Sequence, residues 1–147
     1  MEVTTISTEQ TKDLAEKLAK VLRPKDIIAF EGDLGAGKTT FIRYLVAALG
    51  SINRVQSPTF VIARKYIAEN FNNINVINHL DLYRLSSFDE IKDLSLDEYF
   101  NQPDALTLIE WPNIADSILP DDSIKIIITV LGENERIFDV QNLHRHF

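Results

Sequence analysis

The sequence contains no cysteine, which excludes disulfide bonds, thiolate metal sites and cysteine nucleophiles. It also lacks any apolar run approaching the roughly 18 residues of a membrane span. The first residues, Met1 to Thr5, show no basic region followed by an apolar stretch, so a secretion signal is not expected. Together these absences predict a soluble, cytoplasmic protein.

Positive charge is scarce, since 15 Lys and Arg residues stand against 22 Asp and Glu residues, for a net charge of −7. This net charge therefore does not favour binding of a polyanion by the chain alone. A role on nucleic acid would need a partner that supplies the basic surface. The 147 residues, 45% of them hydrophobic, predict one domain that spans residues 1–147.

One stretch, Gly32 to Thr39, reads GDLGAGKT and completes the pattern GxxxxGKT. The run Asp26 to Glu31 before it predicts a short apolar strand, and apolar residues at helical spacing follow it up to Gly50. This order of strand, loop and helix is typical of a phosphate-binding loop, whose backbone N–H groups and helix N-terminus face the phosphates. In that pattern Lys38 supplies a mobile positive charge and Thr39 a hydroxyl for magnesium.

The rest of the chain predicts strands alternating with helices. A capping box at Ser7 and Gln10 begins a helix that ends before Pro24, and similar boxes at Ser87 and Ser95 begin two short helices. The expected ranges are helices over 88–94 and 96–100, hairpin strands over 60–67 and 74–80, a buried strand over 105–109, and a C-terminal hairpin of 123–130 with 137–140. The predicted class is α/β, a three-layer P-loop NTPase-like domain with a largely parallel central sheet and antiparallel hairpin additions.

Two acids follow predicted strands, and a P-loop ATPase needs such an acid near the phosphates. Glu110 follows five apolar residues without interruption, which predicts a buried strand that ends at the phosphate edge, so we assign Glu110 to the metal. Asp81 follows Val76 to Leu80, whose polar interruptions suit a strand with one wet face. The alternatives are an exposed carboxylate for Glu110, and a cap or a salt bridge with Arg84 for Asp81.

Three further features carry weaker signals. The tripeptide Ser57 to Thr59 lies about 20 residues after the loop, where P-loop proteins often place a switch segment, although it is also typical of a rigid turn. Trp111, the only tryptophan, is either a core side chain, which its type favours, or a platform at the rim of the site. His79, His144 and His146 show no metal-ligand spacing and are expected to be structural or surface residues.

Four blocks stand in one order along the chain: GDLGAGKTT from Gly32, SPTF from Ser57, HLDLYRL from His79 and EWP from Glu110. Together they resemble the TsaE family, also called YjeE, the bacterial P-loop ATPases of tRNA threonylcarbamoyladenosine biosynthesis. The resemblance covers nearly the whole chain except about the last 25 residues, which carry no motif.

The resemblance implies an ATPase that uses ATP and Mg²⁺ and works with TsaD and TsaB, which transfer a threonylcarbamoyl group to the adenosine beside the tRNA anticodon. The ATPase resets that complex between turnovers and is not expected to bind tRNA directly. Matched to this sequence, the resemblance implies that the phosphate ligands are Gly35, Ala36, Gly37, Lys38, Thr39 and Thr40. It implies that Thr39 and Glu110 hold the metal, that Ser57 and Thr59 form the switch, and that Asp81 supports hydrolysis with Lys38 and Glu110. It also implies that Trp111 adjoins the site and that Glu9 or one of its neighbours lies near the adenine.

Three other functions are alternatives to this one. A small-molecule P-loop kinase usually carries an arginine-bearing lid, but a predicted hairpin follows the second helix here, and Arg84 is the obvious arginine near a motif. A GTPase is disfavoured because the stretch Asn78 to Asp81 has His79 in place of the lysine of the guanine-reading NKxD motif. In addition, no DxxG motif occurs between Thr39 and Asn78. A nucleotide-sensing adaptor without turnover remains open.

Overall fold

The computed structural model describes residues 1–59 and 61–147. Within these ranges no helix has the length and apolar character needed to cross a membrane. The strands are β1 (Glu2–Thr5), β2 (Ile27–Glu31), β3 (Ala63–Phe71), β4 (Ile74–Asp81), β5 (Ala105–Glu110), β6 (Ile124–Val130) and β7 (Arg136–Gln141). The helices are α1 (Thr8–Ala19), α2 (Lys38–Ala48), α3 (Phe88–Asp93) and α4 (Leu96–Phe100), with a 3₁₀ turn at Pro112–Ala115.

The seven strands of the described residues form one sheet in the order β1-β7-β6-β2-β5-β4-β3. The neighbours β6-β2, β2-β5 and β5-β4 are parallel, and the three outer pairs are antiparallel. A parallel core of four strands with antiparallel hairpins is therefore confirmed. The strand β1 was not predicted, because its four residues form a strand only by pairing with β7, far away in the sequence.

Side chains that alternate along the central strands are buried on both faces of the sheet. Ile28 and Phe30 of β2 pack in one cluster with residues of α1 and α2, whereas Ile27 packs in a second cluster with residues of α3 and α4. Helices thus cover both faces. This burial explains why β2 and β5 read as continuous apolar runs, as parallel central strands do.

The predicted capping boxes have different outcomes. Ser7 accepts a hydrogen bond from the Gln10 backbone nitrogen (3.2 Å), and Ser87 accepts one from that of Glu90 (3.3 Å), so both helix starts are confirmed. The box at Ser95 is wrong, since this residue has a φ of 53° and makes no side-chain cap bond. Its backbone nitrogen donates to the Lys92 carbonyl, so Ser95 closes α3 in a left-handed conformation instead of the extended one that an N-cap needs.

The first hairpin begins and turns later than predicted. Its first strand runs over Ala63–Phe71 instead of 60–67, and the turn consists of Asn72 and Asn73, whose φ angles of 52° and 67° suit asparagine. A register shift between Ile67 and Phe71 accompanies the longer strand. Phe60, where the strand was predicted to begin, lies outside the described residues.

Candidate functional site

The carboxyl ends of three neighbouring parallel strands meet at one edge of the sheet. The glycine loop follows β2, Glu110 ends β5 and Asp81 ends β4, with Asp81 and Glu110 paired in register. Because β3 runs antiparallel to β4, its amino end and the segment Ser57 to Thr59 before it also lie at this edge. The topology therefore gathers all four sequence blocks, and this edge is where open α/β sheets bind ligands.

A cleft of about 290 Å³ opens at this edge. Ten of the predicted site residues line this cleft, together with Leu34. The full lining is Leu34, Gly35, Gly37, Lys38, Thr39, Thr40, Ser57, Thr59, Asp81, Glu110 and Trp111. The predicted residues Ala36 and Glu9 are not part of this lining.

The loop backbone suits an anion. Gly37 has a φ of 104°, which glycine adopts without strain, and a Cβ built on it meets no atom within 4 Å. It precedes α2, and no side chain of the described residues caps this helix start. The first N–H groups of α2 are therefore left to face the open cleft, as a phosphate site requires.

Lys38 crosses the loop and is nearly buried. Its Nζ donates to the carbonyls of Gly32 and Asp33, the latter at 3.1 Å, and lies 3.8 Å from the centre of the Trp111 ring. Burial lowers the pKa of Lys38, while the negative charges of Glu110 and other nearby carboxylates oppose that shift. Carbonyl oxygens thus hold the ammonium where phosphate oxygens could replace them.

Trp111 belongs to the rim of the cleft, and the expectation from residue type of a core side chain is wrong. It is half-buried, and its ring centre lies 4.9 Å from that of Tyr83. Its φ of 55° is unusual for a bulky residue, because the chain turns here from β5 into the 3₁₀ turn. Lys38 therefore has an aromatic face beside it in the cleft.

Glu110 is buried, with 2% of its surface exposed, which excludes the alternative of an exposed carboxylate. The Thr39 hydroxyl donates to its Oε1 (3.1 Å), and His79 Nε2 lies 2.7 Å from its Oε2. A threonine of the loop and an acid of the neighbouring strand are thus in direct contact, as the assignment of both to a metal requires.

Asp81 is also buried, at 3% exposure. Its Oδ2 accepts a bond from the Thr59 hydroxyl (2.6 Å), which in turn lies 2.9 Å from the Ser57 hydroxyl. Its Oδ1 accepts from the backbone nitrogen of Tyr83 (2.9 Å), so Asp81 also caps the turn after β4, one of its two alternative roles. The segment predicted as a switch therefore touches this acid directly.

His79 and Tyr66 are buried residues outside the cleft lining that reach Glu110 through hydrogen bonds, and sequence reasoning missed these contacts. The expectation of one wet face on β4 is wrong, because Asn78 and His79 are both fully buried, and Asn78 donates to the Gln102 side chain. His79 Nδ1 lies 2.9 Å from the Tyr66 hydroxyl. One signal was available, since His79 stands two residues before Asp81 and so shares its face of the strand.

A second pocket of about 190 Å³ lies on the other side of the loop. Thr8 and Thr11 of α1 line it, whereas the predicted Glu9 is exposed and lies outside the lining. Its wall also contains Ala36 and Arg136, and Arg136 Nε donates to the Ala36 carbonyl (3.1 Å), which ties the C-terminal hairpin to the loop. Sequence reasoning gave no sign of this contact.

A model of the family described as threonylcarbamoyl adenosine biosynthesis protein TsaE matches residues 5–138, which include all four blocks and the sheet edge described above. The chain belongs to the TsaE family. Two relatives carry the name tRNA threonylcarbamoyladenosine biosynthesis protein TsaE. The one from Bacillus subtilis is 39% identical over 90% of this chain and 79% of its own, and the one from Rickettsia conorii is 40% identical over 95% and 77%. The crystal structure of Bacillus subtilis YdiB is 32% identical with a TM-score of 0.75, over 94% of this chain and 82% of its own.

The side-chain oxygens of the cleft suit Mg²⁺ where substrate phosphates complete its coordination. Among the residues described, no group of three or more His, Asp and Glu side chains could hold a metal. Mg²⁺ is commonly bound by one or two side chains together with substrate phosphates, without an all-protein cage. The contact between Thr39 and Glu110, beside the open start of α2, provides such a pair.

Proposed function

We propose that this TsaE family protein is a P-loop ATPase that acts in tRNA threonylcarbamoyladenosine biosynthesis. It forms a single domain over residues 1–147, with three layers of secondary structure. It binds ATP with Mg²⁺, hydrolyses it, and acts on the TsaB–TsaD complex to support repeated turnovers in the cytoplasm. One observation carries the proposal: Thr39 of the phosphate loop touches the buried Glu110 in the cleft that also contains Asp81 and the Ser57 to Thr59 segment. The names of the relatives support the pathway.

Each group in the cleft has a role that its chemistry explains. The loop N–H groups from Gly35 to Thr40 and the Lys38 ammonium bind the phosphates, and the Lys38 contacts with carbonyl oxygens are exchanged for contacts with phosphate oxygens. When bound, Mg²⁺ would neutralise charge on the phosphates, held by Thr39 and Glu110. Asp81 orients the attacking water once its carboxylate is released from Thr59. Trp111 places an aromatic face beside Lys38 at the rim of the cleft.

Hydrolysis by the isolated chain is expected to be slow. Lys38 is the one cation among the described residues that line the cleft, so a further charge at the transition state must come from elsewhere. Both oxygens of Asp81 are also engaged, one by Thr59 and one by backbone. A partner that displaces Thr59 or adds a cation would complete the site, and an arginine finger accelerates P-loop enzymes by roughly 10³ to 10⁵.

The proposal is tested by phosphate release from ATP, measured with the chain alone and with added TsaB and TsaD. We expect slow release alone and faster release with the complex. Thr59→Ala and Ser57→Ala should reduce the stimulated rate more than ATP affinity, whereas Ser86→Ala, on the loop before α3, serves as the control. ATP binding without turnover in any mixture would indicate an adaptor, and turnover that needs a small phosphate acceptor would indicate a kinase.

A further inference from the structure

A chain of buried hydrogen bonds leads from the backbone at Gln56 to Glu110. The Tyr66 hydroxyl lies 2.9 Å from the Gln56 carbonyl oxygen, 3.2 Å from the Gln56 nitrogen and 2.9 Å from His79 Nδ1. His79 Nε2 then lies 2.7 Å from Glu110 Oε2. Tyr66 is 3% exposed and His79 0%, so water does not compete for these bonds.

The hydrogens of this chain can be assigned from its ends. An ionised carboxylate only accepts, so His79 Nε2 carries the hydrogen that it shares with Glu110. The Gln56 carbonyl oxygen also only accepts, so the Tyr66 hydroxyl donates its single hydrogen there, and the Tyr66 oxygen lies 2.9 Å from His79 Nδ1. Burial raises the pKa of Tyr66, which keeps this hydroxyl protonated. Each link thereby fixes the orientation of the next, from the tyrosine to the carboxylate.

Both acids of the cleft are connected to the same short segment, residues 56–59. Gln56 reaches Glu110 through Tyr66 and His79, and Thr59 bonds directly to Asp81 (2.6 Å). These contacts begin three positions apart on one loop and end at the two paired strand ends. A shift of the segment therefore changes both carboxylates together.

We infer that Tyr66 and His79 are positioning residues that couple the orientation of the Glu110 carboxylate to the position of the segment 56–59. The inference rests on the proposed function, in which Glu110 helps to hold Mg²⁺. It goes further by assigning two buried residues outside the cleft lining to the metal site, and by giving the segment control over both acids. Partners of this kind orient metal ligands, and their loss typically costs 10- to 100-fold in metal affinity or activity.

Three variants separate positioning from packing. Tyr66→Phe removes one hydroxyl and keeps the ring, and Tyr99→Phe, which removes a hydroxyl from α4 on the other face of the sheet, is its matched control. His79→Gln places an amide nitrogen near the Nε2 position and keeps a donor to Glu110, whereas His79→Asn places its amide near Nδ1 and loses that donor. In a Mn²⁺ titration of the ADP complex, we expect Tyr66→Phe and His79→Asn to raise the half-saturating metal concentration about 10-fold.

Nucleotide affinity measured in EDTA should stay within about twofold in all these variants, because the loop is untouched. His79→Gln should retain more metal affinity than His79→Asn, and adding Tyr66→Phe to His79→Gln should cost little, because that link is already broken. If Tyr66→Phe and His79→Asn bound metal as the wild type does, the inference would be overturned. A wild type that binds no nucleotide would contradict the proposed function instead.

A second readout needs neither nucleotide nor metal. In ¹⁵N spectra of the free protein, His79 should show one slowly exchanging ring N–H, since it is fully buried while His144 and His146 are exposed. Tyr66→Phe should shift this resonance or speed its exchange, and Tyr99→Phe should not. Absence of a protected ring N–H in the wild type, or its indifference to Tyr66→Phe, would refute the chain of bonds whatever the ATPase assays show.

Discussion

Replacing Lys38 by methionine removes one charge from the cleft while keeping the length of the side chain. In the free protein this ammonium is engaged by two carbonyl oxygens and by the Trp111 ring. In the complex it would face phosphate oxygens instead. The substitution therefore affects the nucleotide complex more than the folded protein itself.

The size of the effect follows from the distance and the surroundings. Two unit charges about 4 Å apart attract by about 4 kcal/mol at the effective dielectric constant of a site near the surface. Part of this is offset, because Lys38 gives up its carbonyl contacts when it binds phosphate. A net loss of about 2–3 kcal/mol remains, which weakens ATP binding roughly 30- to 150-fold.

Stability should respond little to the same change. Burial lowers the pKa of Lys38, so the charged side chain is less favourable in the folded state than in the unfolded state at all pH values below the unfolded pKa. Loss of that penalty offsets the lost hydrogen bonds, and the free energy of unfolding should change by less than about 1 kcal/mol.

The assay is calorimetric titration with ATP, supported by urea unfolding of each variant. Lys92→Met, in α3 on the other face of the sheet, is the matched control, since it changes the net charge equally. We expect near wild-type affinity for that control. An ATP affinity of folded Lys38→Met within threefold of the wild type would refute the assignment of the loop.

Further predictions concern the two acids, the switch and the C-terminal tail. Glu110→Ala should bind ATP but lose Mg²⁺-dependent turnover, and Asp81→Ala should lose turnover with less effect on metal affinity. The measurement is a Mn²⁺ titration followed by paramagnetic relaxation. If Asp81→Ala weakened metal binding and Glu110→Ala did not, the roles of the two acids would be exchanged. Thr59→Ala should lower the turnover stimulated by TsaB and TsaD at least tenfold with ATP affinity within threefold, and equal losses in both would argue against a switch. Arg145→Met should lower the free energy of unfolding by about 1–2 kcal/mol, because it breaks a two-bond ion pair (2.6 and 2.8 Å) with Asp26, the residue before β2. The measurement is urea unfolding, and an unchanged midpoint would show that this pair contributes nothing to stability.

Local signals in the sequence predicted most of the fold. The apolar runs before Gly32 and Glu110 are central parallel strands, and the capping serines Ser7 and Ser87 begin their helices. The failures have physical causes. The capping box predicted at Ser95 was wrong because the end of α3 imposes a left-handed conformation at that residue. The strand β1 was missed because it forms a strand only by pairing with β7.

The site, like the fold, contains some features that the sequence predicted and others that it did not. The loop and both acids were predicted because strand, loop and helix, or strand and acid, are contiguous in sequence. His79 and Tyr66 were missed because their contacts depend on sheet register, since the bond between His79 and Glu110 joins residues 31 apart and the one between Tyr66 and His79 joins residues 13 apart. Arg136 is a similar case, 100 residues from the Ala36 carbonyl that it binds.

The most direct test of an ATPase that resets its partners is reconstitution of threonylcarbamoyladenosine formation on tRNA, with purified TsaB and TsaD and a supply of the threonylcarbamoyl donor. The quantity to measure is modified tRNA per TsaD, with wild-type chain, with Lys38→Met and without the chain. We expect about one turnover or fewer without the chain or with Lys38→Met, and many turnovers with wild type and ATP. Many turnovers without the chain, or equal support from Lys38→Met, would contradict the proposed function.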